Sequence, residues 1–132
     1  MQFEEALFSY LKSFQGLSSL VGERIYPLVI PQKASLPAVT YQRVSAVRQH
    51  ALQMDTGYTT QMYQISCWSK SYAQSWHIAS QLRLSLQNFS GVMGGAEGVH
   101  IDAVLLEGEM AGFEPDTNTY YYHMEFQFFY KE

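Results

Sequence analysis

The chain has 132 residues, a formal net charge of −4 and only 15% charged residues against 47% apolar ones, where about a quarter charged is usual. That length fits one domain spanning 1–132, which removes roughly two thirds of the unfolded surface from water and needs no staple. Eight basic residues in no run cannot neutralise a row of phosphates, and the single cysteine, Cys67, excludes an internal disulfide and makes a reducing cytoplasm the default.

The first segment, MQFEEALFSYLKSF, has neither a basic leader nor a continuous apolar stretch, so neither export nor membrane insertion is expected. Phe3, Ala6, Leu7, Tyr10, Leu11 and Phe14 follow helical spacing and predict an amphipathic helix ended by Gly16. LSSLVG predicts one further helical turn, capped by Ser18 or Ser19 and stopped by Gly22. From Gly22 to Arg43 the chain holds three of its four prolines, Pro27, Pro31 and Pro37. Each fixes its own φ and pushes its predecessor away from helical values, which predicts a stiff extended connection into a strand.

AVTYQRVSAV and YTTQMYQISCW alternate as two strands around the polar loop RQHALQMDTGY. The second places Tyr63, Ile65 and Cys67 on one face, opposite Met62, Gln64, Ser66 and Trp68. Ser69 or Ser71 caps a second long helix over about 71–90, with Ile78, Leu82, Leu86 and Phe89 on its apolar side. SGVMGGAEG stops it. VHIDAVLLEGE is the third strand, with Val99, Ile101, Ala103 and Leu105 on one face, and YYYHMEFQFFY is the fourth, separated by the loop MAGFEPDTNT. The expected architecture is α+β in the order α-β-β-α-β-β: a four-stranded, mainly antiparallel sheet with two long helices on one face.

Candidate chemistry is sparse. None of His50, His77, His100 and His123 has a second histidine within reach along the chain. The best tertiary constellation is His100 and Asp102 facing His123 and Glu125 across the last hairpin, the site of a small ligand- or metal-binding domain or minor enzyme if the register allows it. A solvated polar face explains the same residues. No Gly-x-Ser-x-Gly elbow is present, Cys67 sits mid-strand without a helix N-terminus to lower its pKa, and GVMGGAEG follows a helix instead of opening one. Glu107, Glu109 and Glu114 gather near the last hairpin as a solvated rim, and NFS at 88–90 matches a glycosylation acceptor in a chain with no export signal. No catalytic residue, metal ligand or cofactor is assigned.

Interaction surface is the remaining distinctive feature. Eight Phe, ten Tyr and two Trp suit either an aromatic core or half-buried subunit contacts. Met54, Met93, Met110 and Phe113 fall in or beside long loops, and Arg48 and His50 open the first of them; these six are the candidate interface residues. The proline stretch is a candidate docking arm.

LSSLVGERIYPLVIPQKASLPAVTYQRVS followed by YQISCWSKSYAQSWHIASQLRLSL resembles the tail completion, or tail-to-head joining, proteins of long-tailed phages and prophages. The likeness covers roughly residues 5–90. It rests on Arg24, Ile25, Tyr26 and Pro27, on Leu36, Pro37 and Tyr41, and on Gln64 and Trp68, which the resemblance makes fold-defining. It implies a tail-terminator-like, non-enzymatic virion protein made in the host bacterial cytoplasm. Such a protein forms a hexameric ring at the head-proximal end of the tail, touching tail tube protein and head connector. DNA passes through without specific binding, and the isolated subunit is free to be monomeric until a tail is present.

Overall fold

The apolar stripe at the start of the chain folds as two helices that meet at Phe14. A computed structural model describes residues 2–50 and 55–131. In it, α1 runs Phe3–Ser13 and α2 Gln15–Val21, with Phe14 extended between them. The Glu5 carboxylate accepts the Gln2 backbone N–H at 3.0 Å and starts α1. The break therefore precedes Gly16, which lies inside α2. Ser18 and Ser19 are not caps either: from within α2 their hydroxyls donate to the carbonyls of Gln15 and Gly16. Gly22 does stop α2, at a φ of 61° that disfavours a side chain.

The proline stretch is a returning loop, not a straight lead into a strand. β1 (Ile25–Pro27) lies parallel to β2 (Ala38–His50), with Ile25 opposite Val39 and Pro27 opposite Tyr41. Between them Leu28 takes a φ of 63°, and the Ala34 N–H donates to the Pro31 carbonyl at 3.0 Å. Arg24 Nε donates to the Pro37 carbonyl at 2.7 Å, tying the two ends together. Proline is tolerated in β1 because that strand is an edge.

The remaining elements are β3 (Asp55–Ser69), α3 (Tyr72–Leu86), β4 (Gly91–Met93), β5 (Val99–Glu114) and β6 (Thr119–Lys131). The sheet has six strands in the order β1-β2-β3-β6-β5-β4. It corrects the expected four-stranded sheet with two helices: the sheet is mixed and strongly curled into a half-barrel, and three helices accompany it. Two physical reasons account for the difference. Strands of three residues are too short to show alternation, which hid both edge strands. Register shifts between Arg43 and Ser45, Ile101 and Ala103, and Leu106 and Gly108 let long strands bend and run on into stretches rich in turn residues. β2 thus continues through Arg48 to His50, and β5 through Phe113 to Glu114.

All three helices contribute to the core on one face of the sheet. Leu7, Leu11 and Leu17 join Ile78, Leu82 and Leu86 of α3 over Ile65, Met124, Phe126 and Phe128. The Ser71 hydroxyl caps α3 by accepting the Gln74 N–H. Tyr10 Oη donates to the Ser85 carbonyl at 2.5 Å, binding α1 to α3. The shift after Ile101 changes which residues of β5 face inward: Val104 and Leu106 follow Ile101 toward the core, while Leu105, expected beside it, is exposed.

Candidate functional site

The histidine constellation does not form. β5 and β6 pair with Ile101 opposite Tyr130 and Met110 opposite His123, so His100 and His123 lie toward opposite ends of the strand pair, roughly 26 Å apart at the strand rise. Glu125 faces Gly108. Odd-with-even pairing holds at both ends of the strand pair, but the hairpin turns only at 115–118, so the register sets these groups far apart along the strands. His100 Nδ1 and Asp102 Oδ1 are 3.4 Å apart and exposed. His123 instead meets Ser66 Oγ through Nδ1 at 2.6 Å and packs beside the rings of Trp68 and Tyr121. Burial lowers its pKa. Among the described residues, no three His, Cys, Asp or Glu side chains are placed to hold a metal.

Cys67 is buried and its thiol donates to the Ser75 carbonyl at 3.3 Å. Desolvation pushes its pKa up to about 12, which leaves too little thiolate for nucleophilic chemistry. The glycine-rich stretch after α3 forms β4 and its turn. A Cβ on Gly98 would stand 2.0 Å from the Met93 carbonyl oxygen, so this turn requires glycine for close packing.

The expected interface residues divide. Met93 is a correction: it is fully buried in β4, inside the subunit core. Met110 and Phe113 are 57% and 43% exposed, but they stand on β5 and not in a loop. Arg48 is exposed on β2. His50 ends β2, but its side chain, like all of Met54, lies outside the described residues. The motif residues gather around β1, the lower part of β2 and β3. Ile25 and Tyr41 are buried, while Tyr26, Leu36 and Pro37 are half-buried beside them and Pro27 is exposed. Trp68 Nε1 donates to Thr40 Oγ1 at 3.0 Å, and Gln64 Nε2 donates to Ser66 Oγ at 3.3 Å.

Three surface features were not anticipated. An aromatic patch forms where Tyr72 and Trp76 at the start of α3 meet Tyr120, Tyr122 and Phe113, with ring centroids 4.8–6.2 Å apart. A polar cleft of about 660 Å³ lies between the start of α1 and the upper sheet, with Glu4, Glu5, Arg43, Arg48 and Gln61 among its lining. The third feature is a pair of open strand edges. Among the described residues, β1 covers only Val39–Tyr41 of β2, and β4 covers only Val99–Ile101 of β5. Exposed Val44, Val47 and Leu105 on these strands were the available sequence signal, but alternation alone cannot tell an edge strand from a central one.

The family model for tail completion protein gp17 matches residues 5–131, almost the whole chain. The chain belongs to that family. The match extends past residue 90 to include the β5–β6 hairpin, which the motif-bearing blocks did not reach. No curated protein matches the sequence. Among solved structures, this tail completion chain is similar in fold to one from the virion of a native gene transfer agent particle. The TM-score is 0.77 at 13% identity, over 96% of this chain and 92% of that one.

Proposed function

We propose that residues 1–132 act as one structural unit of a phage-like tail: a ring-forming completion protein at the head-proximal end, which stops tube growth and offers a surface to the head connector. The observation that carries this reading is the family match over residues 5–131. The gene transfer agent likeness supports a place in a virion, because a fold shared along nearly both chains fits the same kind of particle. Exposed apolar side chains on the long strands, Val47 at 63% and Met110 at 57% among them, fit a subunit whose surface is finished by its neighbours. In this reading six copies close the ring, the net charge of −4 lets DNA slide through without adhering, and the chain lowers no activation barrier.

The test is assembly. Tail tubes polymerised with the purified chain should show a ring with sixfold symmetry at one end in negative-stain images, and tubes polymerised without it should grow past their normal length. Tubes of unchanged length lacking any added density would overturn the assignment.

A further inference from the structure

We infer that the ring closes edge to edge: residues 42–50 of β2 in one copy lie antiparallel against residues 105–114 of β5 in the next, the stretch beyond Val104, whose carbonyl already accepts the Asn88 N–H at 3.1 Å. This rests on the ring reading above and names the surfaces that meet.

The geometry comes from the register of one sheet. Arg48, Thr59, Tyr130 and Ile101 form one row across β2, β3, β6 and β5, and Val39, Cys67, Tyr122 and Ala111 form another. Among the described residues, in the first row β4 covers β5 and no strand covers β2; in the second β1 covers β2 and no strand covers β5. The two open stretches therefore sit on opposite sides of the sheet and at opposite ends of it. β2 and β5 run in opposite directions, so placing one copy beside the next continues the sheet as an antiparallel pair. Such a contact is heterologous, and repeated it gives a closed ring or an open helix. The offset along the strands closes if the strands tilt against the ring axis, as they do in barrels.

Charge selects this pairing over its alternatives. Residues 42–50 carry Arg43 and Arg48 and no carboxylate; residues 105–114 carry Glu107, Glu109 and Glu114 and no Lys or Arg. Pairing β2 with β2 would set arginine against arginine, and β5 with β5 would set carboxylate against carboxylate, each unfavourable. Only the head-to-tail pairing joins opposite signs. Arg48 already interacts within its own chain and Glu4 and Glu5 share its cleft, yet the only formal charges that residues 42–50 carry are positive. An edge protected simply against aggregation has no reason to carry the sign complementary to the opposite edge.

Charge reversal tests the pairing through sedimentation over a concentration series and images of the assembled tails. Arg43→Glu with Arg48→Glu puts like charges at every junction, and so does Glu107→Lys with Glu109→Lys. Each doubly substituted chain should self-associate roughly ten- to hundredfold more weakly than the original while keeping its circular dichroism spectrum. Mixed one to one, the two chains regain opposite signs at both junctions and should form rings of alternating subunits, which unfolded chains could not do. If each variant alone forms rings as readily as the original chain, edge pairing is wrong and the ring stands. If both variants are folded yet their mixture fails to assemble, the pairing is wrong as well. If the unsubstituted chain forms no ring at any concentration or on any tail, the ring reading falls and this inference with it.

Discussion

The two faces of the sheet are built on different principles. The face under the helices presents Tyr63, Ile65 and Cys67 from β3 with Met124, Phe126 and Phe128 from β6, and all are buried. The other face presents Met62, Gln64, Ser66 and Trp68 beside Tyr121, His123, Gln127 and Phe129, mostly half-buried without any helix over them. Its side chains cover one another: Trp68 leans on Tyr121 and His123, Trp68 Nε1 finds Thr40, and Ser66 finds His123. An open face that satisfies its own polar groups asks little of a partner. The strand edges are the parts left unfinished, which is why assembly is assigned to them.

Truncating the two faces at neighbouring strands gives the largest contrast. Phe126→Ala removes a fully buried ring under the helices and should cost about 3–5 kcal/mol of unfolding free energy. Phe129→Ala, on the open face, should cost about 1 kcal/mol, because its ring is only partly removed from water on folding. Chemical denaturation of both variants measures the difference. Equal losses would mean that the open face is as much a core as the covered one.

The covered face should also set the alkaline limit. Burial raises the Cys67 thiol from 9.0 to about 12, so the folded state holds that proton more tightly than the unfolded chain does. The stabilisation is complete below pH 9 and declines at about 1.4 kcal/mol per pH unit as the pH rises from 9 toward 12. Tyr63 shifts in the same direction through burial and its hydrogen bond to Glu4, but its contribution is lost mainly above pH 10. Stability measured between pH 9 and 10 should therefore fall more steeply for the original chain than for Cys67→Ala, whose remaining decline comes from Tyr10, Tyr41, Tyr63 and Tyr122, all raised first by burial. An identical slope in both would remove Cys67 as the cause.

The covered face was also the legible one. Alternation in residues 63–67 and 122–128 and helical spacing at Leu7, Leu11, Ile78, Leu82 and Leu86 specify a buried side, and the structure buries all of them. The β1 and β4 strands were not legible, because three residues give no periodicity and pairing alone makes them strands. Register was illegible for a related reason. A bulge is set by backbone twist and neighbouring strands, and one inserted residue inverts the assignments that follow it, as Leu105 shows, while the position of the hairpin turn at 115–118 is what separates His100 from His123. Likewise Met93 sits among glycines like a loop residue, and only the return of β4 onto β5 buries it.

On the open face, the hydrogen bond from Trp68 to Thr40 fastens β3 to β2 at the level of the motif residues. Thr40→Val keeps the shape and removes the acceptor, leaving a partly buried indole N–H without its partner. The expected cost is about 1 kcal/mol, visible in the unfolding midpoint and as a change in Trp fluorescence. A neutral result would show that water replaces the lost acceptor, and that this face is wetter than its packing indicates.

The smallest effect is the acid-side counterpart of the Cys67 slope. His123 sits against Ser66, Trp68 and Tyr121, with no carboxylate in its hydrogen bonding, and burial lowers its pKa below 6.5. The unfolded chain therefore takes up the proton first as the pH falls. The stability contributed by neutral His123 is complete above 6.5 and is lost as the pH drops from there through the lower folded value. His123→Gln should flatten stability over that window while leaving the alkaline slope untouched, and Cys67→Ala should lessen the alkaline slope while leaving this window untouched. The effect is small because the ring is only partly buried, so solvent screens much of the penalty on its charged form. Should His123→Gln leave the acid limb as steep as before, carboxylates elsewhere carry it, and the two faces no longer divide the pH response between them.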